Sequence, residues 1–312
     1  MNKLLFSFLL IVSMNASVFA NISIPSIIGN HMVLQQKSEV VIWGWGKPLE
    51  PVLVTTSWDT AQYKTVVDNQ ANWRVTVKTP SAGGPHSLTI RGYNTITIED
   101  VLIGEVWLCS GQSNMEWSAR MGVDGVEEEM KSENYPNIRF FTVMHRTSES
   151  PLPDAVGNWT VCNPGTMLDF SALAYFYAKT IQEKIKVPIG LINASWGGTP
   201  AEVWTPKEAF VDNDLLRISA QKLNPVEWGP HEPARAFNAM IAPFIPFKIA
   251  GTIWYQGESN TANPETYKEL FTTMIKSWRK KWNDEFPFYY VQIAPWTYGD
   301  DHFAGVMVRD AQ

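Results

Sequence analysis

The chain has 312 residues, 45% of them hydrophobic, with 14 tryptophans, two cysteines and a formal net charge of −6. That length and apolar content can bury a large core and fit two domains better than one. The mild acidity and scattered basic residues exclude a nucleic-acid surface, and no His/Cys/Asp set has ligand spacing, so neither a metal nor another cofactor is expected.

Residues 1–20 read as a secretory signal peptide. Lys3 is followed by the apolar run Leu4-Leu5-Phe6-Ser7-Phe8-Leu9-Leu10-Ile11-Val12, and Val18-Phe19-Ala20 supplies small residues suited to cleavage before Asn21. The run is too short to span a bilayer, and no cysteine follows the cleavage point to carry lipid. A secreted or periplasmic protein, off the membrane after cleavage, is expected. Over 21–100, β-type runs at 40–45, 52–58, 63–67, 73–77 and 87–92 alternate with Pro, Gly, Asp and Asn, which predicts a small N-terminal β-sandwich domain. Trp43, Trp45 and Trp73 alternate as its core would.

From 101 to 312 the pattern changes. Apolar strands at 101–109, 187–192, 249–253 and 288–293 alternate with helical periodicity at 126–131, 170–185 and 265–282, which predicts an α/β domain, a parallel sheet flanked by helices. The interval 205–236 has weak periodicity and several prolines, so it is assigned to a long loop with short helices. Arg309-Asp310-Ala311-Gln312 reads as the opening of a helix. Cys109 and Cys162 are equally readable as a disulfide or as two buried thiols, and the oligomeric state is left open.

Three strand ends carry the chemistry. Gly111-Gln112-Ser113-Asn114-Met115 follows the first strand, and its sharp polar turn leaves the Ser113 hydroxyl at the sheet rim. Met115 departs from the Gly-x-Ser-x-Gly elbow of common α/β hydrolases. Asn193-Ala194-Ser195-Trp196-Gly197-Gly198-Thr199-Pro200-Ala201-Glu202 and Trp254-Tyr255-Gln256-Gly257-Glu258-Ser259-Asn260 follow two further strands. Each block alone is explained by a turn or a helix cap. Together they form a rim constellation, because ligands bind beyond the carboxyl ends of strands in open α/β sheets. Ser113 offers a nucleophile, the glycine pair offers backbone N–H groups, and Gln256 or Asn260 offers a side-chain amide.

These blocks resemble the sialate O-acetylesterase family of carbohydrate esterases, a branch of the SGNH (GDSL-type) hydrolases. The likeness extends to Gly29-Asn30-His31-Met32-Val33-Leu34-Gln35-Gln36, Val41-Ile42-Trp43-Gly44-Trp45-Gly46, Phe170-Ser171-Ala172-Leu173-Ala174-Tyr175-Phe176 and Asn238-Ala239-Met240-Ile241-Ala242-Pro243. It implies an SGNH-type fold and a cofactor-free serine esterase acting on an O-acetylated sialoglycan. Acetylxylan or another acetylated carbohydrate, or an inactive carbohydrate-binding relative, are the alternatives. The resemblance implies Ser113 as nucleophile and an oxyanion hole from the Ser113 and Gly198 amides and the Gln256 side chain. Asn260 is the alternative amide, since typical SGNH enzymes carry asparagine in this block. Gln112, Asn114, Trp196, Gly197, Glu202, Trp204, Glu258 and Asn260 are expected to bind substrate.

The departure is the general base. The family carries an Asp-x-x-His block, and none of the five histidines, His31, His86, His145, His231 and His302, has aspartate three places before it. His302 sits in a polar, glycine-flanked loop and reads as a surface residue. The base is expected in a C-terminal block beyond Gln312.

Overall fold

The computed structural model describes residues 21–131, 135–298 and 303–312. The expected signal peptide and His302 lie outside the described residues. The N-terminal part contains β1 (Val33–Gln35), β2 (Glu39–Trp45), β3 (Pro51–Thr56), β4 (Gln62–Val66), β5 (Asn72–Lys78) and β6 (Gly83–Arg91). β2 pairs antiparallel with β5, while β4, β3 and β6 lead antiparallel onto β7 (Thr95–Gly111). Side chains alternate faces along a strand, so Val40 and Ile42 of β2 enter a core with Val52, Val54, Trp73, Val77, Leu88 and Ile90. Trp73 is core as expected. Trp43 and Trp45 fall on the other face of β2 and are only partly buried; Trp43 meets Phe247 edge-on, with ring centroids 6.3 Å apart.

β7 is 17 residues long and runs through the expected boundary at 100/101. Its first half pairs with β6, and its second half pairs in parallel with β10 (Ile189–Ser195) and β11 (Gly251–Tyr255). At the changeover Asp100 has φ 54°. Its carboxylate accepts from the buried Arg139 guanidinium at 2.7 and 3.0 Å and lies 2.7 Å from His31 Nδ1. Arg139 above all, with His31, holds the Asp100 carboxyl below its ordinary pKa, against the opposing effect of burial.

The C-terminal part completes the chain with α1 (Ser113–Glu116), α2 (Val126–Lys131), β8 (Tyr135–Thr142), β9 (Trp159–Cys162), α3 (Pro164–Leu168), α4 (Ala172–Ile185), α5 (Glu208–Val211), α6 (Asp214–Ala220), α7 (Tyr267–Trp282), β12 (Phe288–Val291) and α8 (Ala304–Ala311). The strands β12, β11, β7, β10 and β8 are parallel neighbours in that order, and β9 closes the edge antiparallel. Alternation along β7 feeds both faces. Trp107 and Cys109 pack with Ala174, Tyr175 and Ala178 of α4; Val106 and Leu108 join the core that holds Leu270, Met274 and Trp278 of α7. Coverage on both faces makes a parallel strand continuously apolar, and every residue of β10 is buried.

The helix ends follow from local chemistry. Ser171 caps α4 by accepting from Ala174 N–H, and Arg279, Lys280 and Lys281 complement the carbonyl end of α7. Within 205–236 the short helices α5 and α6 appear as expected. Cys109 and Cys162 are free, buried thiols, and burial pushes Cys162 up to about 12. No described helix is long and apolar enough to cross a membrane.

Candidate active site

Register brings the three blocks to one rim. Gly111, the last residue of β7, pairs with Ser195 at the end of β10 and with Tyr255 at the end of β11. The strands therefore finish level, and the residues that follow each must turn into a common space. Gly111 permits this: φ is +141°, and a Cβ there would come within 3.0 Å of Tyr255 N and closer to its carbonyl, so only glycine lets β7 and β11 approach this closely.

Ser113 opens α1 immediately after the turn and is partly exposed. The first turn of a helix leaves its N–H groups without intrahelical acceptors, and α1 begins its bonding only with Met115 and Glu116 N–H to Gln112 O. Gln112 is buried, its Oε1 accepting from Ser259 N–H at 3.2 Å and from Gly257 N–H at 3.4 Å. Asn114 Nδ2 donates to Glu258 Oε1 at 2.7 Å. Blocks one and three are thus stitched on both sides of the serine. Glu258 Oε2 is buried with no hydrogen-bond partner among the described residues, and burial raises the Glu258 pKa against the opposing bonds from its own backbone and Asn114.

The second block lies directly against the serine. A Cβ at Gly197 would stand 3.5 Å from Ser113 Cβ and 3.1 Å from Glu116 Oε2. Gly197 N–H donates to Glu116 Oε2 at 2.6 Å, while His145 Nε2 lies 2.8 Å from Glu116 Oε1 and 3.1 Å from Ser195 O. A nitrogen facing two oxygen acceptors must carry hydrogen, so Nε2 is a donor here. The His145 ring lies flat on Trp196, centroids 4.2 Å apart and planes 3° apart. Gly198 follows with φ +73°, and among the described residues its N–H makes no hydrogen bond. Glu116 and His145 were not flagged by the sequence; Glu116 had a signal, because position i+3 on a helix falls on the same face as Ser113, whereas nothing local marks His145.

The side-chain amides expected at the substrate are engaged elsewhere. Gln256 is fully buried; its Nε2 donates to Thr199 O at 3.2 Å and Asn260 Oδ1 at 2.7 Å, and its Oε1 accepts from Tyr267 O–H at 3.0 Å. Asn260, also fully buried, accepts from Ala201 N–H at 2.8 Å and donates to Glu202 Oε2 at 2.8 Å and Asn263 Oδ1 at 3.1 Å. Glu202 Oε1 accepts from Asn263 Nδ2 at 2.7 Å. Burial raises the Glu202 pKa, opposed by the Asn260 and Asn263 bonds. Trp204, expected to line the site, is wholly buried, with Nε1 donating to Thr199 Oγ1 at 3.0 Å and its ring edge-on to Trp254. Gln256, Asn260, Glu202 and Trp204 therefore support the glycine loop from beneath. Ser113, Asn114, Trp196, Gly197, Gly198 and Glu258 are the expected residues that keep partial exposure at the rim.

The arrangement can present a hydroxyl beside backbone N–H donors, a geometry that suits acyl transfer. The match to known proteins agrees. A family model described as carbohydrate esterase, sialic acid-specific acetylesterase, matches residues 103–312. Human sialate O-acetylesterase is 31% identical over 296 residues, covering 86% of this chain and 56% of the relative. Rat sialate O-acetylesterase is also 31% identical, covering 86% of this chain and 59% of the relative. Among solved structures, a carbohydrate acetylesterase from Xanthomonas citri superposes with a TM-score of 0.82 at 31% identity, covering 93% of this chain and 65% of that one. This chain thus spans little more than half the length of the curated relatives. The level strand ends, the serine turn and a family match covering most of the chain lead to one conclusion: the protein belongs to the sialic acid-specific acetylesterase family of carbohydrate esterases.

Proposed function

We propose that the protein is a serine esterase that removes O-acetyl groups from sialic acid or a related glycan. The observation that carries this reading is the position of Gly197 against Ser113, with Gly198 next in the chain, at the shared end of β7, β10 and β11. Ser113 Oγ attacks the ester carbonyl, giving up its proton to a general base, and the carbonyl oxygen gains negative charge. The Ser113 and Gly198 N–H groups are assigned to that charge. Collapse expels the sugar alcohol, which recovers the proton, and water then cleaves the acyl-enzyme to acetate and free serine.

Gln256 and Asn260 act in this proposal by holding Thr199 O and Ala201 N–H, and so the loop that presents Gly198. The resemblance assigns the base to a histidine of an Asp-x-x-His block, a spacing His145 lacks because Thr142 stands three places before it; its Nε2 is spent as a donor to Glu116 and Ser195 O. The basic start, apolar run and small residues of 1–20 support export to the periplasm or medium, where acetylated glycans are met.

The test is acetate release from 9-O-acetyl-N-acetylneuraminic acid and from acetylated xylan, comparing the full-length protein with Ser113→Ala. Loss of at least about 10³-fold in kcat with folding retained is expected, as for other serine nucleophiles. Retained turnover in the variant sinks the assignment, and the better of the two substrates decides between sialate and neutral glycan.

A further inference from the structure

We infer that Trp228 is a stacking platform for the pyranose ring of the ester substrate, the subsite that makes the site selective for sugar esters. The inference rests on the esterase reading above and adds the residue that would recognise the alcohol half of the ester.

Trp228 is 66% exposed, although leaving so large an apolar ring in water is unfavourable. Its position is nevertheless fixed. A Cβ at Gly198 would lie 2.9 Å from Trp228 Cδ1 and nearer still to Nε1, so the pyrrole edge of the indole rests on the proposed oxyanion glycine. Trp228 O accepts from Trp196 Nε1–H at 2.9 Å. Val226 and Gly229 bridge antiparallel around it, and a Cβ at Gly229 would stand 3.3 Å from Trp196 Nε1 and 3.4 Å from Thr199 Cγ2.

Trp196 and Trp204 are the two aromatics expected at the substrate, yet Trp204 is wholly buried, His145 covers one face of Trp196, and the Trp196 Nε1–H is spent on the Trp228 carbonyl. Trp196 therefore acts as the anchor, and Trp228 is the ring anchored and exposed beside the reacting centre. An indole presents a π face of partial negative charge, to which the C–H groups of one face of a pyranose are complementary. An acetyl ester held with its carbonyl oxygen at Gly198 places its alcohol portion next to this residue, whereas a small acyclic alcohol gains nothing from it.

The experiment uses the full-length protein with Trp228→Ala and Trp228→Phe. Turnover is measured on ethyl acetate and on whichever of 9-O-acetyl-N-acetylneuraminic acid and tetra-O-acetyl-xylopyranose is the better substrate. In Trp228→Ala, kcat/KM for the sugar ester should fall about tenfold further than for ethyl acetate, the scale of one aromatic stack plus its buried area. Trp228→Phe should recover most of that difference. Equal falls on both esters, or no fall on either, overturn the inference. Calorimetric titration of the same sugar ester into Ser113→Ala, with and without Trp228→Ala, reads binding without turnover and should show about tenfold weakening. Unchanged affinity overturns the platform. Absence of acetate release from every ester instead overturns the esterase reading, and the calorimetry still decides the role of Trp228.

Discussion

Replacing Gly198 with alanine tests the central geometry at a single atom. The residue has φ +73°, a conformation that costs an L-residue about 1–3 kcal/mol. The new Cβ would lie 2.9 Å from Trp228 Cδ1, where ordinary contact begins at 3.4 Å, so the indole must retreat by at least about half an ångström. Gly125 supplies a control: its φ is +79° and a Cβ there meets nothing within 4 Å. Gly125→Ala should therefore show backbone strain alone, about 1–3 kcal/mol in urea unfolding. Gly198→Ala should exceed it, and combining Gly198→Ala with Trp228→Ala should return the excess while leaving the strain. In turnover the two glycines should separate more widely, because moving the Gly198 N–H removes one of the proposed oxyanion donors, worth on the order of 10² to 10³ in kcat. The reasoning is refuted if Gly198→Ala matches Gly125→Ala in both stability and kcat, or if the Trp228 change shows no coupling to it.

Glu116→Gln leaves one oxygen for two donors, Gly197 N–H and His145 Nε2–H; kcat should drop by on the order of 10- to 100-fold through misplacement of the glycine loop, with KM little changed, and a pure KM effect counts against the positioning role. Gln256→Ala removes the donor to Thr199 O in a dry interior, while Tyr267 O–H keeps the Gln256 carbonyl and Asn260 Oδ1 keeps Ala201 N–H, so unfolding should show a loss of about 1–3 kcal/mol for the one carbonyl left unpaired. A 10²-fold kcat loss with stability unmoved would instead mean that Gln256 reaches substrate. Glu202 has its pKa raised in the folded protein by burial, so the folded chain keeps that proton to higher pH than the unfolded chain. Stability from this group is greatest below the ordinary carboxyl range and declines as pH climbs through the folded pKa; Glu202→Gln should flatten that decline above pH 4.5, the ordinary value from which burial raises the group, and an unchanged pH profile of unfolding would show that Glu202 does not titrate with folding.

Local patterning was enough to read the rim. β10 and β7 are apolar on both faces because helices cover both, and that run marks a parallel strand before any contact is known. Their ends were visible in the glycines and polar residues that follow. Patterning could not reveal which way a polar side chain faces. Gln256, Asn260 and Glu202 read as ligand-facing because buried polar groups are costly unless paired, and the sequence does not show that they pair with one another. Glu116 and His145 meet across 29 positions of chain, and Trp228 reaches Gly198 from a loop without periodicity. Contacts of that kind depend on how the loops return over the sheet. The expected boundary at 100/101 falls within one strand: the change from alternating to continuous apolar residues near 100 is real, but it occurs inside β7.

That shared strand has a bearing on how the protein can be cut or recombined. Severing the backbone near Asp100 would strip β6 of its partner and free the root of the segment that ends at Ser113. The N-terminal sheet is therefore no detachable appendage, and a C-terminal half expressed from residue 101 onward would begin with an unpaired edge and without the Arg139–Asp100 bond that steadies the bend. Grafting the site onto another scaffold would have to carry the N-terminal strands with it, because the proposed nucleophile stands at the far end of a beam whose other end is built into them.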